Sequence, residues 1–253
     1  FTAKGTNTVT STGGGDILIK GRTNNGFMNS HGHTGVNITG DYIIDYDASA
    51  LHDVRSNMAI TAANINYPHG GRDYKFWTTA TDSEVAFTGN LNVSNGTATL
   101  NTMDSGQEAT NVFTVTGHTN LTGALTANDT TMNLGSMFIG SAGTYSATSG
   151  TTTLTKEADT GGTDFMLYND SGTFTHNDGK FLFDDAGLSS ASNVRNPSSF
   201  HDVELTMGSY SLTSHHNMTA TGNFTVTTGT YSDGSNGFHV DELCLVSNGG
   251  TLN

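Results

Sequence analysis

Along most of this chain the apolar residues come in pairs with one residue between them: Leu91/Val93, Phe113/Val115, Phe181/Phe183, Val203/Leu205, Phe224/Val226 and Phe238/Val240. A period of two places both members of a pair on one face of a strand. Strand centres then recur about every seven residues. Toward the C-terminus they fall near Glu204, Ser211, Met218, Thr225, Ser232 and His239, and earlier near Asn133, Phe138, Ser146 and Thr153. The intervening Gly, Thr, Asn and Ser are poor helix formers without charged flanking stripes, so the spacing is not that of a coiled coil. Strands of about four residues and bends of about three, taken three at a time, predict a triangular coil of roughly 21 residues. The fold expectation is an all-β β-solenoid (β-helix) with about three short strands per coil. Ten to twelve coils rising about 4.8 Å each would give a rod on the order of 50 Å. The alternative is a β-sandwich or jelly roll, with longer strands and less regular spacing.

The stretch GSMFIGSAGTYSATSGTTTL, Gly135 to Leu154, reads as about one coil. Its inward anchors are Met137 and Ile139 (or Phe138), Tyr145, Thr152 and Leu154. Residues 88–253 keep this rhythm. Residues 1–87 keep it less well and read as irregular opening coils, a cap or docking region covering an end that would otherwise template strand pairing. Ala48 to Arg55 is the one segment with a helical reading, and PHGGRDYKFWTT carries the only tryptophan. The final SNGGTLN reads as the start of another unit, continued by more chain or by a partner subunit.

Composition agrees with a narrow core: 34% of residues are hydrophobic and 13% charged. Two prolines against 13 phenylalanines and 8 tyrosines argue against simple disorder. A formal net charge of −14 argues against nucleic acid, whose binders need clustered Lys and Arg. No apolar run is long enough for a membrane helix. The single cysteine, Cys244, precludes an intrachain disulfide and, between Leu243 and Leu245, reads as a plain strand position. No P-loop, nucleophile elbow, cysteine zinc pattern or dinucleotide fingerprint is present, and no catalytic residue is assigned.

Three stretches, GNFTVTTGTYSDGS, GSMFIGSAGTYSATSGTTTLTKE and SGTFTHNDGKFLFDDAG, resemble repeats of large structural proteins of marine bacteriophages. The resemblance covers roughly Thr88 to Asn253, and β-solenoid adhesins of bacterial surfaces share the style. It implies a virion appendage such as a tail fibre, or an extracellular filament.

Four groups carry candidate chemistry. In NSHGHTG, a strand would put His31 and His33 on one face, as a transition-metal site requires, while the glycines equally suit a solvated turn. The pair also resembles the His-x-His elements that bind iron in some phage fibre tips. Asp164 and Asp185 are 21 residues apart, so a coil of that length would stack them as a Ca²⁺ site, a glycosidase-like carboxylate pair or solvated corners. Asp45 and Asp47 divide the same way. Arg72, Tyr74, Lys75, Phe76 and Trp77 form the densest aromatic and basic cluster, suited to a subunit interface, a glycan contact or a packed cap. His176 reads as a corner residue, and His215 and His216 as facing opposite ways.

The functional expectation is a non-enzymatic structural protein of an extracellular fibre or virion appendage. It would form homo-oligomers, or be a subunit of a filament or virion, without a resident cofactor. A receptor- or glycan-binding adhesin of a host surface is the alternative, and a tailspike-like polysaccharide-degrading enzyme the second. Binding chemistry belongs where the rhythm breaks.

Overall fold

The structure, a computed structural model, describes residues 7–11, 13–21, 26–30, 34–46, 50–54, 58–68, 73–78, 84–94, 97–102 and 112–253. Among these the chain is all-β, without a helix. Among the described residues every strand pairing but one is parallel. The exception joins Ala158–Asp159 to Asp164–Asn169. Sandwiches and jelly rolls are built from antiparallel strands, so the pairing sets that alternative aside.

The parallel pairings fall into three ladders. The first carries a column of inward residues, Ile60, Phe87, Val115, Leu134, Leu154, Phe183, Leu205, Val226 and Val246, each in register with the next. All are buried except Val246, which stands 41% exposed in the last strand of the column. The second ladder carries Ile65, Leu91, Thr119, Met137, Leu167 and Val194. The third stacks Leu125, Tyr145 and Phe174, against which Phe200 packs at 5.4 Å between ring centroids. Their side chains meet in one continuous core.

Several strands serve two ladders. Glu84–Val93, Val112–Leu121 and Thr131–Ile139 begin in the first and end in the second, with a bend between. Glycines occupy the bends because successive backbones nearly touch there. Gly89 has φ of 129°, and a Cβ on Gly135 would overlap the Gly117 carbonyl oxygen. Six strands, Thr131–Ile139, Thr151–Leu154, Lys180–Asp184, Asp202–Ser214, Ser192–Arg195 and Asp164–Asn169, close a parallel barrel, from which the other strands extend.

The sequence offset between paired residues is not constant. Phe113, Met132, Thr152, Phe181, Val203, Phe224 and Cys244 follow one another in register at offsets of 19, 20, 29, 22, 21 and 20. A spacing close to the expected 21 residues therefore holds from Phe113 to Thr152 and again from Phe181 to Cys244, and the offset of 29 between them accommodates an inserted hairpin. The helical reading of Ala48 to Arg55 is corrected. Ala50–Val54 is a strand held on both sides, by Gly26–Ser30 and by Asp73–Thr78, and that pairing overrides a weak local preference. The strand Glu84–Val93 runs across the 87/88 boundary and pairs along its length.

Candidate functional site

Alternation along the second ladder turns every other residue outward. In register these are Asn66, Asn92, Asn120, Phe138, Tyr168 and Arg195. The row begins as an amide chain: Asn120 Nδ2 donates to Asn92 Oδ1 and Asn92 Nδ2 to Asn66 Oδ1, both at 2.8 Å. Asn66 Nδ2 donates to Asp41 Oδ2 at 3.4 Å. A carboxylate can only accept, so Asp41 fixes the direction of every amide and leaves the Asn120 carbonyl oxygen as the terminal acceptor. A second chain runs from Asp41 through Asn64 and Asn90 to the His118 backbone N–H, at 2.8, 3.1 and 3.0 Å.

Beyond Asn120 the row becomes aromatic. Phe138 stacks on Tyr168 at 5.5 Å with planes 12° apart, and Phe165 meets Tyr168 edge-on at 4.9 Å. Arg195 lies 5.0 Å from the Tyr168 centroid and donates to its hydroxyl, a cation–π contact that holds the phenol in place. His215 closes the cluster, 5.2 Å from Phe165.

The hairpin that lengthens this part of the chain forms the facing wall. Its turn is Thr160-Gly161-Gly162-Thr163, with φ of 68° and 86° at the two glycines and the Thr160 N–H donating to Thr163 at 2.8 Å. Two consecutive positive φ values are what a two-residue hairpin turn demands. Asp159 Oδ1 accepts the Gly162 N–H at 2.6 Å and braces the turn.

Between hairpin and ladder lies an open groove of about 440 Å³, lined by His118, Asn120, Ser136, Met137, Phe138, Ala158, Asp159, Thr160, Phe165 and Tyr168. That volume lies within the range of small-molecule sites. His118 Nδ1 and Ser136 Oγ share a hydrogen bond of 2.6 Å. Burial holds the His118 imidazole below its ordinary pKa and the Lys156 ammonium adds to the shift, so a neutral ring faces the groove. The groove thus offers aromatic faces beside neutral donors and acceptors, with Asp159 as its one lining carboxylate.

Of the residues singled out from sequence, Met137 and Phe138 line the groove and His215 borders its aromatic cluster. His31, His33, Arg72 and Asp47 fall outside the described residues. Tyr74, Lys75, Phe76 and Trp77 belong to the strand Asp73–Thr78, and Asp45 to Tyr42–Tyr46. Asp164 and Asp185 are not brought into register. Asp164 pairs with Asp159, and its neighbour Phe165 with Asn193, whereas the Asp185 N–H donates to Thr206. The local offset of 29 defeats a stacking argument built on 21. Cys244 lies on a strand, exposed. His215 and His216 follow the strand Asp202–Ser214. Comparison with protein families, with curated proteins and with solved structures finds no match for this chain.

Proposed function

We propose that the chain is a non-enzymatic β-solenoid segment of an extracellular fibre or virion appendage, in which parallel coils stack into a stiff rod. The observation that carries this reading is the unbroken first-ladder column from Ile60 to Val226, each member buried and in register with the next. Thr131–Ile139 and Asp202–Ser214 each bend through a corner and join two ladders. On this reading, the six-strand ring is two faces of a coil stack linked at those corners. The core is only one or two side chains deep per strand, which accounts for the low hydrophobic fraction.

The rod extends by adding layers. Cys244–Val246 and Gly250–Leu252 pair on one side with Phe224–Ser232 and with no other named strand among the described residues, and Leu243, Leu245, Val246 and Leu252 are the exposed large hydrophobic residues among those described. An edge of unpaired backbone beside apolar side chains is a template for another strand layer, supplied by more of the same chain or by a partner subunit. Sedimentation velocity and electron microscopy test the stacking. End-to-end particles that grow with concentration, and that Leu245→Lys disperses, are expected. A monomer at every concentration contradicts assembly through this edge.

A second reading, a glycan-binding adhesin, is favoured by the groove. The negative π face of an aromatic ring attracts the C–H face of a sugar, and the neutral amide, hydroxyl and imidazole groups suit its hydroxyls. Hydrolysis of a glycoside ordinarily requires two carboxyl groups flanking the bond. Asp159 alone lines the groove and is already engaged by its own turn, so the groove is read as a binding site.

A further inference from the structure

At the corner between the third and first ladders, two imidazoles from adjacent layers stack: His176 and His201, with ring centroids 5.6 Å apart and planes 17° from parallel. His176 follows the strand Thr173–Thr175 and opens a tight turn in which Asn177 and Asp178 adopt φ of 49° and 57°. Asn177 Nδ2 ties the turn to Ser146 Oγ at 2.8 Å and to the Ala147 carbonyl at 2.7 Å. The turn brings the Asp178 carboxylate beside His176, Oδ1 to Nδ1 at 3.5 Å. One ligand atom from each of His176, Asp178 and His201 lies within 4.8 Å of the other two.

His201 has a hydrogen-bonded partner at Nδ1. Thr221 Oγ1 donates to the Phe200 carbonyl at 3.2 Å, so its remaining role toward His201 Nδ1, also 3.2 Å away, is to accept. That arrangement puts the proton on Nδ1 and leaves the Nε2 lone pair for a metal, with a hydrogen-bonded partner holding the ring as metal-ligating histidines require. His176 presents its Nδ1 lone pair to the same side as the Asp178 carboxylate, where it accepts the Asp178 backbone N–H at 3.0 Å, and ligation through Nδ1 replaces that hydrogen bond.

We propose that His176, Asp178 and His201 bind one borderline transition-metal cation of the Zn²⁺ class. Two imidazoles and one carboxylate fit such an ion and not Ca²⁺, which takes oxygen ligands alone. Bonds of about 2.0–2.2 Å require the donors to close by roughly an ångström, within reach of the exposed Asp178 side chain and the half-buried rings. Water fills the remaining position. Because His176 and His201 sit in different layers, the ion staples one layer to the next, and its binding free energy adds to the stability of the stack.

The test is isothermal titration of the metal-stripped protein with ZnCl₂, alongside thermal melts and the visible spectrum with Co²⁺. One equivalent binding at micromolar concentration is expected, with a rise in Tm and a four-coordinate Co²⁺ band. His176→Gln and His201→Gln should each abolish that equivalent, and Asp178→Asn should weaken it by about 10-fold to 100-fold. Asp178 is exposed in its turn, so the asparagine variant reports on ligation even if a histidine variant fails to fold. His31→Ala/His33→Ala should retain the equivalent. Persistence of the full equivalent in Asp178→Asn and in either folded histidine variant overturns the proposal, as does absence of binding by the wild-type chain.

Discussion

Phe138 and Tyr168 lie face to face, ring centroids 5.5 Å apart and planes 12° from parallel, because the strands that carry them pair in parallel across the second ladder. Neither ring is in the core. Their outward stack is the floor of the groove, and Arg195 locks its far side.

If that floor binds sugars, Tyr168→Ala and Phe138→Ala should each remove binding on a glycan array while leaving the melting temperature nearly unchanged. Phe138→Tyr should keep binding. Glycan binding that survives both alanine variants places recognition elsewhere on the molecule.

Core depth should read out along the first-ladder column. Leu154→Ala, at a fully buried position, should destabilise by about 2–5 kcal/mol in urea unfolding. Val246→Ala, in the same column but 41% exposed, should change stability by less than about 1 kcal/mol in the monomer. Equal losses at both positions would mean that the last strand is covered in solution.

The glycine bend is a second sensitive point. A side chain on Gly135 meets the Gly117 carbonyl oxygen, a backbone atom that cannot swing aside. Gly135→Val should therefore cost about 1–3 kcal/mol or more. The same change at Gly13, where nothing lies within 4 Å, should be close to neutral.

Stability should fall at both ends of the pH scale. His118 is held neutral in the fold, chiefly by burial, so the unfolded chain takes up the proton first. Its contribution is complete above pH 6.5 and is lost as pH falls below that value. Buried Tyr145 and Tyr231 are shifted up, so the unfolded chain ionises first above pH 10.0 and stability is lost there as pH rises. Urea midpoints across pH check both limbs, and His118→Asn should flatten the acid one.

The inward pattern was readable directly. Met137, Ile139, Tyr145, Thr152 and Leu154 are all buried, as the alternation predicts, and Thr152 Oγ1 finds the Tyr145 hydroxyl at 3.1 Å. What alternation cannot supply is the length of each layer. The hairpin around Gly161 and Gly162 changes the offset to 29, which separates Asp164 from the register of Asp185 and aligns Phe138 with Tyr168. The groove was therefore invisible to a fixed spacing; the Thr-Gly-Gly-Thr run from Thr160 to Thr163 is the turn signal that locates the hairpin. His176 was legible as a corner residue, but a spacing of 21 does not pair it with His201, 25 residues further on.

The most direct test of the layered account is a register cross-link across that long offset. Thr153 and Leu182 are paired, outward-facing neighbours in adjacent parallel strands, about 4.8 Å apart and thus within disulfide reach. In a Cys244→Ser background, Thr153→Cys with Leu182→Cys should oxidise to an intrachain disulfide in the folded protein and lose it on unfolding before oxidation. Two free, reactive thiols in the folded variant would contradict the stack.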